Sequence, residues 1–132
     1  MSSDSVKKVF IVDDDNMFTA MLADHLGKNH MLRLFHFSTG EACLNEMYQG
    51  PDFIVLDYNL DSVEQNAADG MAILEKIKKV APRVHVIMLS SQTHYGKAAQ
   101  TIMKGAEQYV IKDENAFKSI ADIIDDIMKR QQ

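Results

Sequence analysis

Val9-Phe10-Ile11-Val12-Asp13-Asp14-Asp15 and Phe53-Ile54-Val55-Leu56-Asp57 decide the fold, because each is an uninterrupted apolar run that stops on carboxylates. An apolar run without alternation describes a strand covered on both faces, as in a parallel sheet packed between helices. Ligands of such sheets collect in the crevice beyond the carboxyl ends of the strands. Carboxylates gathered there repel one another, at roughly 4 kcal/mol for a pair about 4 Å apart in a medium of intermediate dielectric. A hard divalent cation with oxygen ligands is the ordinary offset. One acidic strand end reads as a solvated loop. Two, with Ser90 and Lys112 ending two further strands, read as a site.

Outward from these runs the chain alternates. Met17, Phe18, Met21, Leu22, His25 and Leu26 form a helical stripe that ends near Gly27. Met31–Phe37 reads as a second strand. Ser38-Thr39-Gly40-Glu41 reads as a capping box with Ser38 as the cap, and Gly50-Pro51 stops the helix it opens. Ile73, Leu74, Ile77, Val80 and Ala81 stripe the next helix, and Val84–Leu89 forms the fourth strand. Ala98, Ala99, Ile102 and Met103 mark a helix closed by Gly105. Tyr109-Val110-Ile111 is the fifth strand, and Phe117, Ile120, Ala121, Ile124, Ile127 and Met128 stripe the last helix. Strict alternation predicts an α/β fold, a doubly wound parallel sheet of five strands with five helices and right-handed crossovers. Residues 1–5 read as a polar tail and 6–130 as one domain. The connection from Asp57 to Gly70 is long for its kind. Its stretch 61–68 is either a passive surface insertion or a functional lid.

The bulk numbers narrow the function. The chain has 132 residues, 46% hydrophobic and 25% charged, with net charge −5. That fits one soluble domain and argues against a nucleic-acid surface, which needs a basic stripe. No apolar stretch approaches the ~18 residues of a membrane span, and no apolar signal segment opens the chain. Cys43 is the single cysteine. It excludes an internal disulfide, fits a reducing, cytoplasmic setting and reads as a buried structural thiol beside Leu44 and Met47. The five histidines (His25, His30, His36, His85 and His94) have no metal-ligand spacing.

On a parallel sheet Asp13, Asp14, Asp57, Ser90 and Lys112 project from the same edge. Carboxylates for a cation, a hydroxyl for an oxyanion and an ammonium to neutralise it suit phosphoryl transfer. A carboxylate can itself be the nucleophile, forming an acyl phosphate.

Four pieces then carry a resemblance: Val9–Asp14, Phe53–Asp57, Val86-Ile87-Met88-Leu89-Ser90-Ser91 and Gly105-Ala106-Glu107-Gln108-Tyr109-Val110-Ile111-Lys112. In this order, at the ends of strands one, three, four and five, the chain resembles the receiver domain of two-component response regulators, of the stand-alone, single-domain type. The likeness runs from about Val6 to Met128. It implies a flavodoxin-like sheet with strand order 2-1-3-4-5. It makes Asp57 the phosphoacceptor for a sensor histidine kinase or a histidine phosphotransfer protein. It implies Mg²⁺ held by Asp14 directly, by Asp13 through water, by Asp57 and by the backbone carbonyl of Asn59. Ser90 would hydrogen-bond the phosphoryl oxygen and Lys112 would pair with it. Ser90 and Tyr109 would form the switch, and the last two helices with strand five would meet an unknown downstream protein or a second copy as a homodimer. The job so implied is regulation, not that of an enzyme, with neither nucleic acid nor membrane as partner.

Two departures qualify the likeness. Asp113 stands where the family has Pro, which removes the favourable route to a cis peptide and adds a negative charge beside Lys112. The connection after strand three lacks the usual Met-Pro segment and is longer, so shortening 62–67 is expected to change the lifetime of a phosphorylated form. Two rivals remain at this level. One is a receiver-like interaction module independent of phosphorylation. The other is a haloacid-dehalogenase-like phosphatase with its phosphate on Asp13, against which stand Met17 and the helical placement of Asp125-Asp126.

Overall fold

In the computed structural model, residues 6–59, 70–91 and 95–131 are described. The elements alternate in the order β1 (Lys7–Val12), α1 (Asn16–Leu26), β2 (Leu32–Phe37), α2 (Gly40–Asn45), β3 (Phe53–Asp57), α3 (Gly70–Val80), β4 (His85–Ser90), α4 (Tyr95–Met103), β5 (Gln108–Ile111) and α5 (Ala116–Arg130). A 3₁₀ turn over Met47–Gln49 follows α2 and ends at Gly50, whose φ of 70° is left-handed. The five strands form one sheet in the order β2-β1-β3-β4-β5, and every neighbouring pair is parallel.

The uninterrupted apolar runs have a direct explanation in this sheet. Val9, Ile11, Phe53, Val55, Ile87 and Leu89 face one side, where they meet Leu22 and Leu26 of α1 and Ile120, Ile124 and Ile127 of α5. Phe10, Val12, Ile54, Leu56, Val86 and Met88 face the other, against Cys43 of α2 and Ile73, Leu74 and Ile77 of α3. Successive residues of a strand point to opposite faces, so a sheet covered twice needs apolar residues at every position. Cys43 is fully buried, and that burial pushes its thiol up to about 12.

Several local expectations are corrected. The α2 cap is Thr39, one residue later than Ser38, and its Oγ1 accepts from the Ala42 amide at 3.1 Å. Met17 and Met21 of the α1 stripe are 75% and 52% exposed, while Thr19 shares burial with Leu22 and Leu26. Val80 is also exposed. On α4, Ile102 and Met103 face outward, and Thr101 is the buried residue, its hydroxyl donating to the Ala98 carbonyl at 2.8 Å. The stretch 61–68, and with it the expectation for 62–67, lies outside the described residues. The chain returns to the sheet at Gly70, whose amide donates to the Tyr58 carbonyl at 3.0 Å. A Cβ there would lie 2.5 Å from the Asp57 carbonyl oxygen, so only glycine fits so close to β3.

Candidate functional site

The three acids after β1 divide their work. Asp15 is the N-cap of α1, its Oδ1 accepting from the Phe18 amide at 3.0 Å. Asp is among the best residues for that position, because its short side chain reaches an otherwise unpaired amide. Asp13 is fully buried. Its Oδ1 accepts from the Asp15 amide at 2.9 Å. Its own amide donates to the Phe37 carbonyl at 3.1 Å, and its carbonyl accepts from His36 Nε2 at 2.8 Å. These bonds extend the β1–β2 ladder past the strand and fix the carboxylate. Asp14 is exposed at the rim.

Asp57 ends β3 and is 5% exposed. Ligand atoms of Asp13, Asp14 and Asp57 lie within 4.8 Å of one another. Lys112 enters from the end of β5, with Nζ 2.7 Å from Asp13 Oδ2, 3.7 Å from Asp57 Oδ2 and 3.8 Å from Asp15 Oδ2. The shortest of these gives the buried Asp13 Oδ2 the Lys112 ammonium as its close partner. The ammonium also sits 4.7 Å from the centroid of the Phe18 ring.

Burial and then the neighbouring Asp13 push the Asp57 carboxyl up to about 7, against the pull of Lys112 and of the Asn59 amide, which donates to Oδ1 at 3.0 Å. Burial works to lower Lys112, but close contact with Asp13 and the charges of Asp57 and Asp15 hold it above the ordinary ammonium range. The site is therefore a crowded nest of carboxylates beside the Lys112 ammonium. Added positive charge would relieve it.

Ser90 ends β4 and is almost fully buried. It follows Leu89, the register partner of Asp57, and its carbonyl accepts from the Lys112 amide at 2.7 Å. Tyr58 in turn donates its amide to the Leu89 carbonyl at 2.7 Å, so the ends of β3, β4 and β5 are tied together. Tyr109 packs on the other side of the sheet, against the core formed with α3. Asp113 turns away from the nest. Its Oδ1 accepts from the Asn115 amide at 2.9 Å and its carbonyl from the Ala116 amide at 3.1 Å, which starts α5. Asp15 and Phe18 were absent from the expected site. The tripeptide Asp13-Asp14-Asp15 signalled the first of them, while helical spacing assigned the second to the core.

The sequence model of the response regulator receiver domain matches residues 9–125. The chain belongs to that family. This receiver domain is 26% identical over 119 residues to response regulator protein VraR of Staphylococcus aureus (strain NCTC 8325 / PS 47), a match covering 89% of this chain and 54% of VraR. It thus spans about half the length of that relative. A protein-glutamate methylesterase/protein-glutamine glutaminase of Carboxydothermus hydrogenoformans is 31% identical over 120 residues, 88% of this chain and 34% of that protein. Among solved structures, a CheY-like response regulator receiver domain from Methanospirillum hungatei JF-1 superposes with a TM-score of 0.83 at 21% identity, covering 96% of this chain and 97% of that one. That likeness concerns the fold.

The expectation that the chain is not an enzyme is corrected by these matches. A receiver domain is a phosphoryl acceptor and so a chemical party to group transfer, and one relative is named for an enzymatic activity. The match covers only 34% of that relative, so its esterase and glutaminase activities stay with that protein. Among the described residues, no helix is long and apolar enough to cross a membrane.

Proposed function

We propose that this receiver domain takes a phosphoryl group onto Asp57 from a sensor histidine kinase or a histidine phosphotransfer protein, with Mg²⁺ as cofactor, in the cytoplasm. Residues 6–130 are the working unit, with the polar residues 1–5 outside it. The observation that carries the reading is the convergence of Asp13, Asp14 and Asp57 at the carboxyl edge of the sheet, with the Lys112 ammonium beside Asp13 and Asp57.

The donor set fits the cation. It consists of hard oxygen ligands, carboxylates within 4.8 Å of one another, in a nest whose burial and charge already raise Asp57. Asp14 would hold Mg²⁺ directly, Asp13 through water, and Asp57 and the Asn59 carbonyl would complete the protein's share. When bound, Mg²⁺ neutralises charge on the phosphoryl oxygens. Asp57, in its ionised form, supplies the attacking oxygen, the bond from phosphorus to the donor's imidazole nitrogen breaks, and an acyl phosphate forms. The Asn59 amide orients the carboxylate through Oδ1, which leaves Oδ2 toward Lys112. Lys112 pairs with the arriving phosphoryl oxygens, and Ser90 donates its hydroxyl to one of them.

The readout surface in this reading is α4, β5 and α5, which meets a downstream protein or a second copy. Ser90 and Tyr109 are the switch that reports the phosphorylated state there. The exposure of Ile102 and Met103 and the groove that Tyr109, Ile111 and Ile123 line support it. Intact mass after incubation with acetyl phosphate tests the function. The expected result is a gain of one phosphoryl group that requires Mg²⁺. No gain with Mg²⁺ present would overturn the reading in favour of a phosphate-independent interaction module.

A further inference from the structure

We infer that Phe18 is a positioning residue for phosphoryl transfer: the face of its ring holds the Lys112 ammonium over the carboxylate nest, and Phe117 of α5 holds the ring. The inference rests on the acceptor reading above. Lys112 Nζ lies 4.7 Å from the Phe18 centroid, within the range of a cation–π contact. Phe18 stacks on Phe117 with centroids 5.0 Å apart and planes 29° from parallel. The Phe18 backbone is fixed too, because its amide is the one capped by Asp15 Oδ1 at 3.0 Å.

The chemistry gives this contact a use. A lysine is a point charge on a flexible four-carbon stem, so the groups around it set where the ammonium rests and how far it can move. Here Asp13 Oδ2 at 2.7 Å is nearer than Asp57 Oδ2 at 3.7 Å. A ring face attracts the ammonium without being a conventional acceptor for its three N–H donors. The ammonium can therefore swing from Asp13 toward a group arriving on Asp57 while it keeps the ring contact and stays shielded from water.

The test uses the full chain as wild type, Phe18→Leu, Phe18→Tyr and Phe117→Leu, each also combined with Lys112→Met. NMR of the Lys112 ε-methylene protons reads the placement. An upfield ring-current shift is expected in wild type and Phe18→Tyr and its loss in Phe18→Leu. The rate of phosphoryl uptake from acetyl phosphate at saturating Mg²⁺ reads the role. Phe18→Leu should slow it about fivefold, Phe18→Tyr should restore it, and Phe18→Leu should change nothing further in the Lys112→Met background. Wild-type speed in Phe18→Leu, or equal slowing in both backgrounds, would overturn the inference. Should Phe18→Leu not fold, Phe117→Leu carries the test with a slowing of about twofold, and an unslowed rate there would overturn it. Uptake without a ring-current shift sinks this inference alone. A shift without uptake sinks the acceptor reading, and the positioning role with it.

Discussion

Asp57 is 5% exposed, faces Asp13, and titrates at about 7 in place of the ordinary 3.8. A folded-state value above the unfolded one means that, between these two values, the folded protein keeps a proton the unfolded chain has released. The Asp57 contribution to the stability of the cation-free protein should thus be fully present below about pH 4, fall as pH rises toward 7, and level off above it. Asp57→Asn removes the titrating group, so in chelator at pH 8 it should melt about 5 °C higher than wild type, with the gain shrinking toward pH 4. Melts followed by circular dichroism check this, and a variant that melts lower at pH 8 would contradict it. Asp57 itself was legible in the sequence, because an apolar run that stops on a carboxylate has few other readings. The separate work of Asp15 was not. Three identical residues in a row carry no sign of which one caps the helix and which two face the nest, and only the turn into α1 assigns them.

At the scale of elements, strand ends carry the site and helix rotation decides the rest. Apolar spacing groups Met17 and Met21 with Leu22 and Leu26, but α1 packs on the sheet through Leu22 and Leu26, which leaves both methionines outward. Methionine is apolar enough to count in a stripe wherever it points. The same ambiguity hid Thr101, whose hydroxyl is satisfied by the Ala98 carbonyl and so can be buried on α4 at little cost. Asp15→Ala should lose about 1 kcal/mol of stability as the α1 cap goes, and urea unfolding with an unchanged m-value measures it. An unchanged midpoint would deny the cap. Gly70→Ala tests the close return to β3. Since the new methyl meets backbone and not a movable side chain, it should destabilise by about 1–3 kcal/mol. A neutral Gly70→Ala would mean that α3 can back away from Asp57 freely.

For the whole molecule, two apolar layers lock five strand ends into one edge, and the charge collected there is what folding leaves unbalanced. The order 2-1-3-4-5 was legible because strict alternation and the ordered motifs constrain a receiver sheet together. A cation that binds only the folded form must stabilise it by mass action. Mg²⁺ at about tenfold its dissociation constant should raise the melting temperature by about 5 °C. Asp14→Asn should shift that rise to higher Mg²⁺, and the absence of any Mg²⁺ effect would speak against the nest as a cation site. The proposed resting place of the phosphoryl group is Asp57. Borohydride reduction after incubation with acetyl phosphate and Mg²⁺ converts an aspartyl phosphate to homoserine, which peptide mass mapping can locate. Homoserine is expected at position 57 alone and not in Asp57→Asn, whereas homoserine at position 13 would move the phosphoryl group to Asp13.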